Sequence, residues 1–228
     1  MSDWYFIVEG QTEEEFVKEI LRPYLETQQI VIQGVEQVIT GKSRTGKYCK
    51  GGGKNYELYK NHLINRMKQF KNRENLYFTT MIDLYALPKR FPNSDIYKNE
   101  TDKYKKVEAL ESAFKNDINQ DNFLPYIQLH EFETLLFSDL DKFKEYYIDE
   151  ENIDQKISAL KNDVKEYDNI ELINDSENTA PSKRIEKFFN RYCREKPTAG
   201  LYLSLEIGLD KMREKCQHFN EWIEKLLS

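Results

Sequence analysis

At 228 residues with a formal net charge of −6, the chain is long enough for one large domain or a domain with an appendage, and its acidity argues against a general nucleic-acid coat protein. Aromatic residues make up 13% and charged residues 32%, a composition that can bury a core and excludes a disordered chain. No basic–apolar leader and no apolar run of about 18 residues is present, which argues against secretion and membrane spanning. Three scattered cysteines without a CxxC pair fit reduced thiols in the cytoplasm and give no support to a structural zinc site.

The chain is organised around Tyr5-Phe6-Ile7-Val8-Glu9-Gly10-Gln11-Thr12-Glu13-Glu14. Four apolar residues in a row read as a strand covered on both faces. Gly10 permits a tight or positive-φ turn. Thr12 with Glu15 reads as a capping box that starts a helix at Glu13, and Phe16, Val17, Ile20, Leu21 and Leu25 recur at helical spacing. Arg22-Pro23 lies within that periodicity and predicts a kink or break. Ile30 to Thr40 reads as a second strand bent at Gly34.

The segment Gly41 to Gly53 is rich in glycine and lysine; loops of this length in compact domains are often functional. It lacks Walker spacing, and Gly41-Lys42-Ser43 imitates only that motif's ending. A helix from Asn55 carries Tyr56, Tyr59, Leu63, Ile64, Met67 and Phe70 on one stripe. Leu76–Ile82 reads as a third strand ending at Asp83, a helix follows with Val107, Leu110, Phe114 and Ile118, and Phe123–Leu129 reads as a fourth strand running into His130-Glu131-Phe132-Glu133. Strand and helix alternate, which predicts an α/β fold with a mainly parallel four-stranded sheet flanked by helices over residues 1–140. Residues 141–228 read as a helical C-terminal region, with a basic helix running from Ser182 as N-cap through Cys193. Two amphipathic helices follow, over Ala199–Gly208 and around Phe219–Leu226.

Three strands thus end in carboxylates: Glu9, Asp83, and the pair Glu131 and Glu133. In a parallel sheet those ends share the edge where ligands bind. Clustered carboxylates repel unless cations compensate, and hard oxygen donors favour Mg²⁺ or Mn²⁺. Two such ions roughly 4 Å apart activate water in phosphodiester cleavage. His130 reads as a hydrogen-bonded supporting residue beside the acids, and His62 as structural. Cys216-Gln217-His218 lacks an orienting third group and reads as packing, as do Tyr146-Tyr147 and Phe188-Phe189.

Val8-Glu9-Gly10-Gln11-Thr12-Glu13 resembles the opening motif of Toprim domains, the metal-dependent catalytic modules of topoisomerases, primases and overcoming-lysogenization-defect (OLD) nucleases. The wider pattern adds Met81-Ile82-Asp83-Leu84-Tyr85, His130 through Phe137, Ala180 through Ile185, and Ile207-Gly208-Leu209 through Arg213, Cys216, His218, Phe219 and Trp222. It covers nearly the whole chain and resembles a Toprim-like bacterial family of unknown-function proteins, often encoded beside AAA- or ABC-type ATPases in anti-phage or abortive-infection loci. The resemblance implies that Glu9 is a general acid/base or metal ligand and Asp83 a magnesium ligand, with Gly10 and His130 supporting them. The second acid of the Toprim Asp-x-Asp pair is replaced by Tyr85, so Glu131 or Glu133 is expected to substitute. Lys54, Lys183, Arg184 and Arg213 are the expected phosphate contacts.

The resulting expectation is a Mg²⁺-dependent nuclease in the cytoplasm, acting on DNA or RNA with an ATPase partner, with oligomeric state left open. Its rivals are a non-catalytic regulatory subunit and a nucleotide phosphotransferase using the same acids.

Overall fold

The computed structural model describes residues 2–42, 48–50, 55–174 and 176–228. The chain divides into two compact units, Met1–Gln128 and Leu129–Leu226. Among the described residues, no helix is long and apolar enough to cross a membrane.

The first unit holds a parallel sheet. Strand β1 (Asp3–Val8) lies between β2 (Ile32–Gln37) and β5 (Leu76–Asp83). Trp4 to Val8 are all buried, as a strand covered on both faces requires. The far side of β5 carries β6 (Phe123–Leu124) and β7 (Ile127–Gln128), two short parallel pieces where one strand was expected. Pro125 explains the split, because it has no N–H to give to a ladder. Thr80 fills the gap: its hydroxyl accepts from the Tyr126 N–H at 3.0 Å and lies 3.1 Å from the Tyr126 carbonyl. The register resumes with Ile82 opposite Ile127 and Asp83 opposite Gln128.

The expected second strand is also two elements. After β2 the chain turns into β3 (Ile39–Lys42), which leaves the parallel sheet and pairs antiparallel with β4 (Tyr48–Lys50). The expected bend appears as a register shift, since Trp4 pairs with Ile32 but Tyr5 pairs with Gly34. Gly34 is required by contact: a Cβ there would lie 2.4 Å from Cε2 of Tyr5. Tyr5 cannot yield, because its ring packs between Phe70 and Phe78 at 5.4 and 5.5 Å. Gly34→Ala should therefore lower unfolding stability by about 2 kcal/mol through overpacking, read as a shifted denaturant midpoint at unchanged slope.

Helices cover the sheet. Helix α1 (Gln11–Phe16) continues through a π turn (Val17–Leu21) into α2 (Arg22–Thr27), and this composite element packs on β2. The break expected at Arg22-Pro23 is this π turn, closed by the Arg22 N–H donating to the Val17 carbonyl. Helix α3 (Tyr56–Gln69) starts where Asn55 accepts the Glu57 N–H at 3.0 Å. Helix α4 (Lys103–Ile118) is capped by Asp102 and ends at Asn119 in the left-handed conformation. Tyr56, Phe91, Phe114 and Phe123 form a chain of edge-on rings at 5.0–5.9 Å that ties α3, the 87–102 loop and α4 to β6.

The second unit is helical and begins earlier than the expected boundary at residue 140. The fourth strand was expected to run into His130-Glu131-Phe132-Glu133; instead Phe132–Ser138 is a fully buried 3-10 segment, and it packs on helices of this unit. Helices α5 (Phe143–Tyr146), α6 (Ile153–Val164), α7 (Pro181–Phe188), α8 (Tyr192–Ile207), α9 (Leu209–Lys215) and α10 (Gln217–Leu227) follow. The expected helix through Cys193 is broken after Phe188, and Ala180 rather than Ser182 is its N-cap. Helix α9 was not expected. Gly208 separates it from α8 with φ +81°, a conformation that favours glycine. Tyr147 and Phe189 are buried and stacked at 4.5 Å, so these two rings belong to the core.

Candidate active site

In the first unit, Glu9 and Asp83 come together. The Glu9 N–H donates to the Met81 carbonyl at 3.0 Å, so Glu9 prolongs β1 along β5. Its Oε2 accepts the Asp83 N–H at 2.9 Å, which fixes the carboxylate across the exit of β5. Asp83 ends β5 in register with Gln128. Gln37, at the end of β2, donates to Glu14 Oε2 at 2.7 Å. The carboxyl edge of the sheet, where parallel sheets bind ligands, thus carries two acids, with Gln37 on one side and on the other the buried Gln128, whose Oε1 accepts the Tyr126 hydroxyl at 2.7 Å.

Gly10 serves this corner differently than expected. Its φ of −139° is extended, so no positive-φ turn is involved. Helix α1 begins at Gln11, and Glu13 rather than Glu15 provides the cap: Glu13 Oε2 accepts the Gly10 N–H at 2.9 Å. A Cβ on residue 10 would stand 3.1 Å from that oxygen. Glycine here allows a buried capping carboxylate to approach the turn after Glu9. Glu13, Gln37 and Gln128 were missed because their roles come from register and close approach, which leave no local pattern.

Tyr85, in the position of the missing second acid, lies in a 3-10 turn (Leu84–Ala86) and is 40% exposed. Among the described residues, no group of three or more His, Cys, Asp and Glu side chains is arranged to hold a metal ion. A Mg²⁺ ion is commonly held by one or two carboxylates, its other positions taken by water and substrate phosphate. Glu9 and Asp83 fit that smaller requirement with hard oxygen donors.

A second charged cluster in this unit is structural. Glu36 on β2 accepts from Arg66 Nε at 2.6 Å and Nη2 at 2.5 Å, and meets His62 Nε2 at 2.9 Å. Burial pushes the Glu36 carboxyl up, but the hydrogen bonds from His62 and Arg66 more than offset it and hold it at about 2. A depressed carboxyl contributes stability above its unfolded pKa, which is lost as pH falls toward 2. Wild type should lose on the order of 2 kcal/mol between pH 5 and pH 2 that Glu36→Gln does not lose. Parallel pH profiles of thermal unfolding check this; profiles of equal slope would refute it.

In the second unit, His130 is buried with φ +65°, a left-handed conformation uncommon outside glycine though tolerated by histidine more than by most residues. It turns the chain so that Glu131 and Glu133 point into one cluster. Glu131 Oε2 accepts the Ser182 N–H at 2.9 Å, capping the first turn of α7. Glu133 is buried, accepts the Tyr192 hydroxyl at 3.1 Å, and has the Lys196 ammonium at 3.3 Å. Burial pushes the Glu133 carboxyl up; Lys196 pulls it down, and nearby Glu131 pushes it up again. Burial alone would lower the Lys196 ammonium, but Glu133 and Glu131 raise it on balance. The structure therefore pairs Glu131 with Glu133 and gives each a partner inside its own unit.

The expected phosphate contacts fare unevenly. Lys54 lies outside the described residues. Lys183 is exposed and pairs with Glu186 at 2.6 Å. Arg184 is buried against Asp163, with Nε donating to the Thr179 carbonyl and Nη1 to the Asp163 carbonyl, each at 2.9 Å, and it joins α6 to α7. Arg213 donates to Asn220 Oδ1 at 2.8 Å and pairs with Glu224, tying α9 to α10. Lys187 and Arg191, in the same basic stretch, are paired with Asp163 and Asp149.

A family model described as a domain of unknown function (DUF4276) matches residues 8–227, taking in every acid discussed above. The chain belongs to this family. Among curated proteins, none matches this DUF4276 chain. It is similar to a solved structure, the C-terminal region of the Xanthomonas campestris pv. campestris OLD protein, at 15% identity over 98% of this chain and 97% of that one. The TM-score is 0.40, too low to bear on chemistry.

Proposed function

We propose that this DUF4276 domain is a Toprim-like, metal-dependent nuclease that hydrolyses phosphodiesters of DNA or RNA in the cytoplasm as part of an anti-phage system. The observation that carries the reading is the pairing of Glu9 with the end of β5, where the Glu9 carboxylate accepts the backbone N–H of Asp83 at 2.9 Å and so brings two acids from sequence-distant strand ends to the binding edge of a parallel sheet. Pinning Oε2 fixes where the other Glu9 oxygen points, so the pair is oriented before any substrate arrives. Mg²⁺ or Mn²⁺, held by Glu9 and Asp83, would supply Lewis-acid activation of water and neutralise phosphate charge. Net charge −6 and the internal pairing of the basic helix support a cationic partner, an AAA- or ABC-type ATPase in this reading, that contributes grip on the polynucleotide.

A second reading is a regulatory subunit that no longer cuts. It draws support from Tyr85 in place of an acid and from Glu131 and Glu133, each already engaged by neighbours of its own unit.

The deciding experiment is cleavage of plasmid and single-stranded DNA and RNA with Mg²⁺ or Mn²⁺, with and without the ATPase. Metal-dependent cutting supports the nuclease. A wild type that neither cuts in any condition nor binds Mn²⁺ overturns it in favour of the regulatory reading.

A further inference from the structure

A cleft of about 310 Å³ opens at the other edge of the first unit's sheet. It is walled by the end of α3 and the turn into β5 on one side, and by the turn into β6 on the other. Asn122 marks the edge, donating from Nδ2 to the Leu76 carbonyl at 2.8 Å and accepting the Phe78 N–H at 2.8 Å. These are the amino ends of β5 and β6. Glu9 and Asp83 lie at the carboxyl ends, the length of β5 away, about 25 Å for eight residues.

Two features of the lining point to a ligand. The floor is apolar: Met67 is buried and Phe70 is half-buried, its ring backed by Tyr5. The rim is cationic: Lys68, Lys71 and Arg73 are exposed, and no acid lines the cleft. None of these three cations has an ion-pair partner among the described residues, whereas Lys183, Arg184, Lys187, Arg191 and Arg213 all have one. A helix C-terminus favours cations, which accounts for Lys68 in the last turn of α3. It does not account for Lys71 and Arg73 gathering beyond the helix around an apolar floor, in a chain of net charge −6. Like charges brought together repel, and an anion relieves them. Arg73 lies 6.0 Å from the Phe70 ring centroid in a cation–π contact, which holds its charge at the apolar floor.

We propose that this cleft binds a nucleoside phosphate, the base lying on Phe70 and Met67 and the phosphate held by Lys68, Lys71 and Arg73. The volume is at the lower end of the roughly 300–1,000 Å³ usual for small-ligand pockets, which suits one nucleotide. The source is either a free nucleotide or one unit of a single strand anchored far from the strand-end acids. The proposal does not depend on the nuclease reading, because the site is defined by binding without metal.

The test is titration of AMP and of a fluorescent oligothymidylate in EDTA into wild type and into the triple variant Lys68→Gln, Lys71→Gln, Arg73→Gln. A second triple variant, Lys165→Gln, Arg194→Gln, Lys225→Gln, makes the same change in net charge on the second unit. The first variant should weaken binding at least tenfold and make the slope of log affinity against log salt shallower by about 2, each cation on a single strand's phosphates contributing about 0.7. The control variant should retain wild-type binding. Lys68→Gln and Lys71→Gln alone should each give part of the loss, and circular dichroism should show every variant folded. AMP that competes with the oligonucleotide identifies a nucleotide pocket; oligonucleotide binding that AMP does not displace identifies a strand anchor. Wild type that binds neither probe, or a first variant indistinguishable from the control, overturns the proposal. Neither result bears on cleavage at Glu9 and Asp83, which Glu9→Gln reports separately.

Discussion

Glu9→Gln and Asp83→Asn are each expected to lower metal-dependent cleavage about a thousandfold, equivalent to about 4 kcal/mol of transition-state stabilisation, while leaving the fold intact. The two halves of this expectation have separate causes. Glutamine keeps a side-chain oxygen that can still accept the Asp83 N–H, so the 2.9 Å bond that orients residue 9 survives. Asparagine at 83 keeps the shape of the last residue of β5 and its backbone pairing with β7. Each variant loses one negative charge from a two-carboxylate site, and a hard divalent ion depends on that charge. Cleavage rates at saturating Mn²⁺, Mn²⁺ affinity by calorimetry, and thermal midpoints separate the effects. A Glu9→Gln protein that cuts at the wild-type rate with unchanged Mn²⁺ affinity would remove the pair from the chemistry.

Lys196→Met is expected to destabilise the protein by about 3 kcal/mol at neutral pH, because it strips the cation from a buried carboxylate. The partial exposure of Lys196 keeps this at the low end for a broken buried pair. The pH dependence identifies the cause. Glu133 has its carboxyl raised in the folded protein, chiefly by burial. The folded state therefore holds its proton more tightly than the unfolded state, and the associated stability is complete below about pH 4 and lost as pH rises through the folded pKa. Lys196 pulls that pKa down, so its removal extends the loss to higher pH. The variant should approach wild-type stability near pH 4.5 and fall away by pH 8. Adding Glu133→Gln should flatten the profile, since the neutral amide can still accept the Tyr192 hydroxyl. A deficit equal at both pH values and unmoved by Glu133→Gln would mean that Lys196 acts through packing alone.

Much of the fold was legible because hydrophobic periodicity reports burial directly. The continuous apolar runs of β1 and β5 and the stripe of α3 were found nearly to the residue. The errors cluster where a non-local contact decides. Phe123–Leu129 reads as one strand, and only the Thr80 hydroxyl on a neighbouring strand shows how Pro125 is accommodated. Glu15 satisfies the spacing of a capping box, but the carboxylate that reaches the turn is Glu13, because Gly10 leaves room for it. Arg184 carries a charge suited to phosphate, yet Asp163 lies beside it in space and takes that charge. Of the site, the Glu9–Asp83 pairing follows from strand order, whereas Gln128 enters only through register. Composition announces charge; it does not announce how charge is spent.

The π turn between α1 and α2 has a geometric consequence for the site. Glu13, Val17, Leu21 and Leu25 are all buried and are spaced by four residues each. On a regular α-helix, four residues turn the chain by about 400°, so such a series winds around the axis by about 40° per step and about 120° in all. A π turn takes up one extra residue without advancing the rotation correspondingly, and cancels most of that drift. The helix behaves as though it were one residue shorter in phase while keeping its full length. Its far end stays seated in the core at Leu25 while its near end aims Glu13 at Gly10. Deleting a single residue between 17 and 21 would remove the residue that the π turn takes up, so a regular α-helix would keep Glu13 and Leu25 in phase and bring the two ends about 1.5 Å closer along the axis, whereas the same deletion outside the π turn would swing one end by about 100° and take the capping carboxylate away from the turn that follows Glu9.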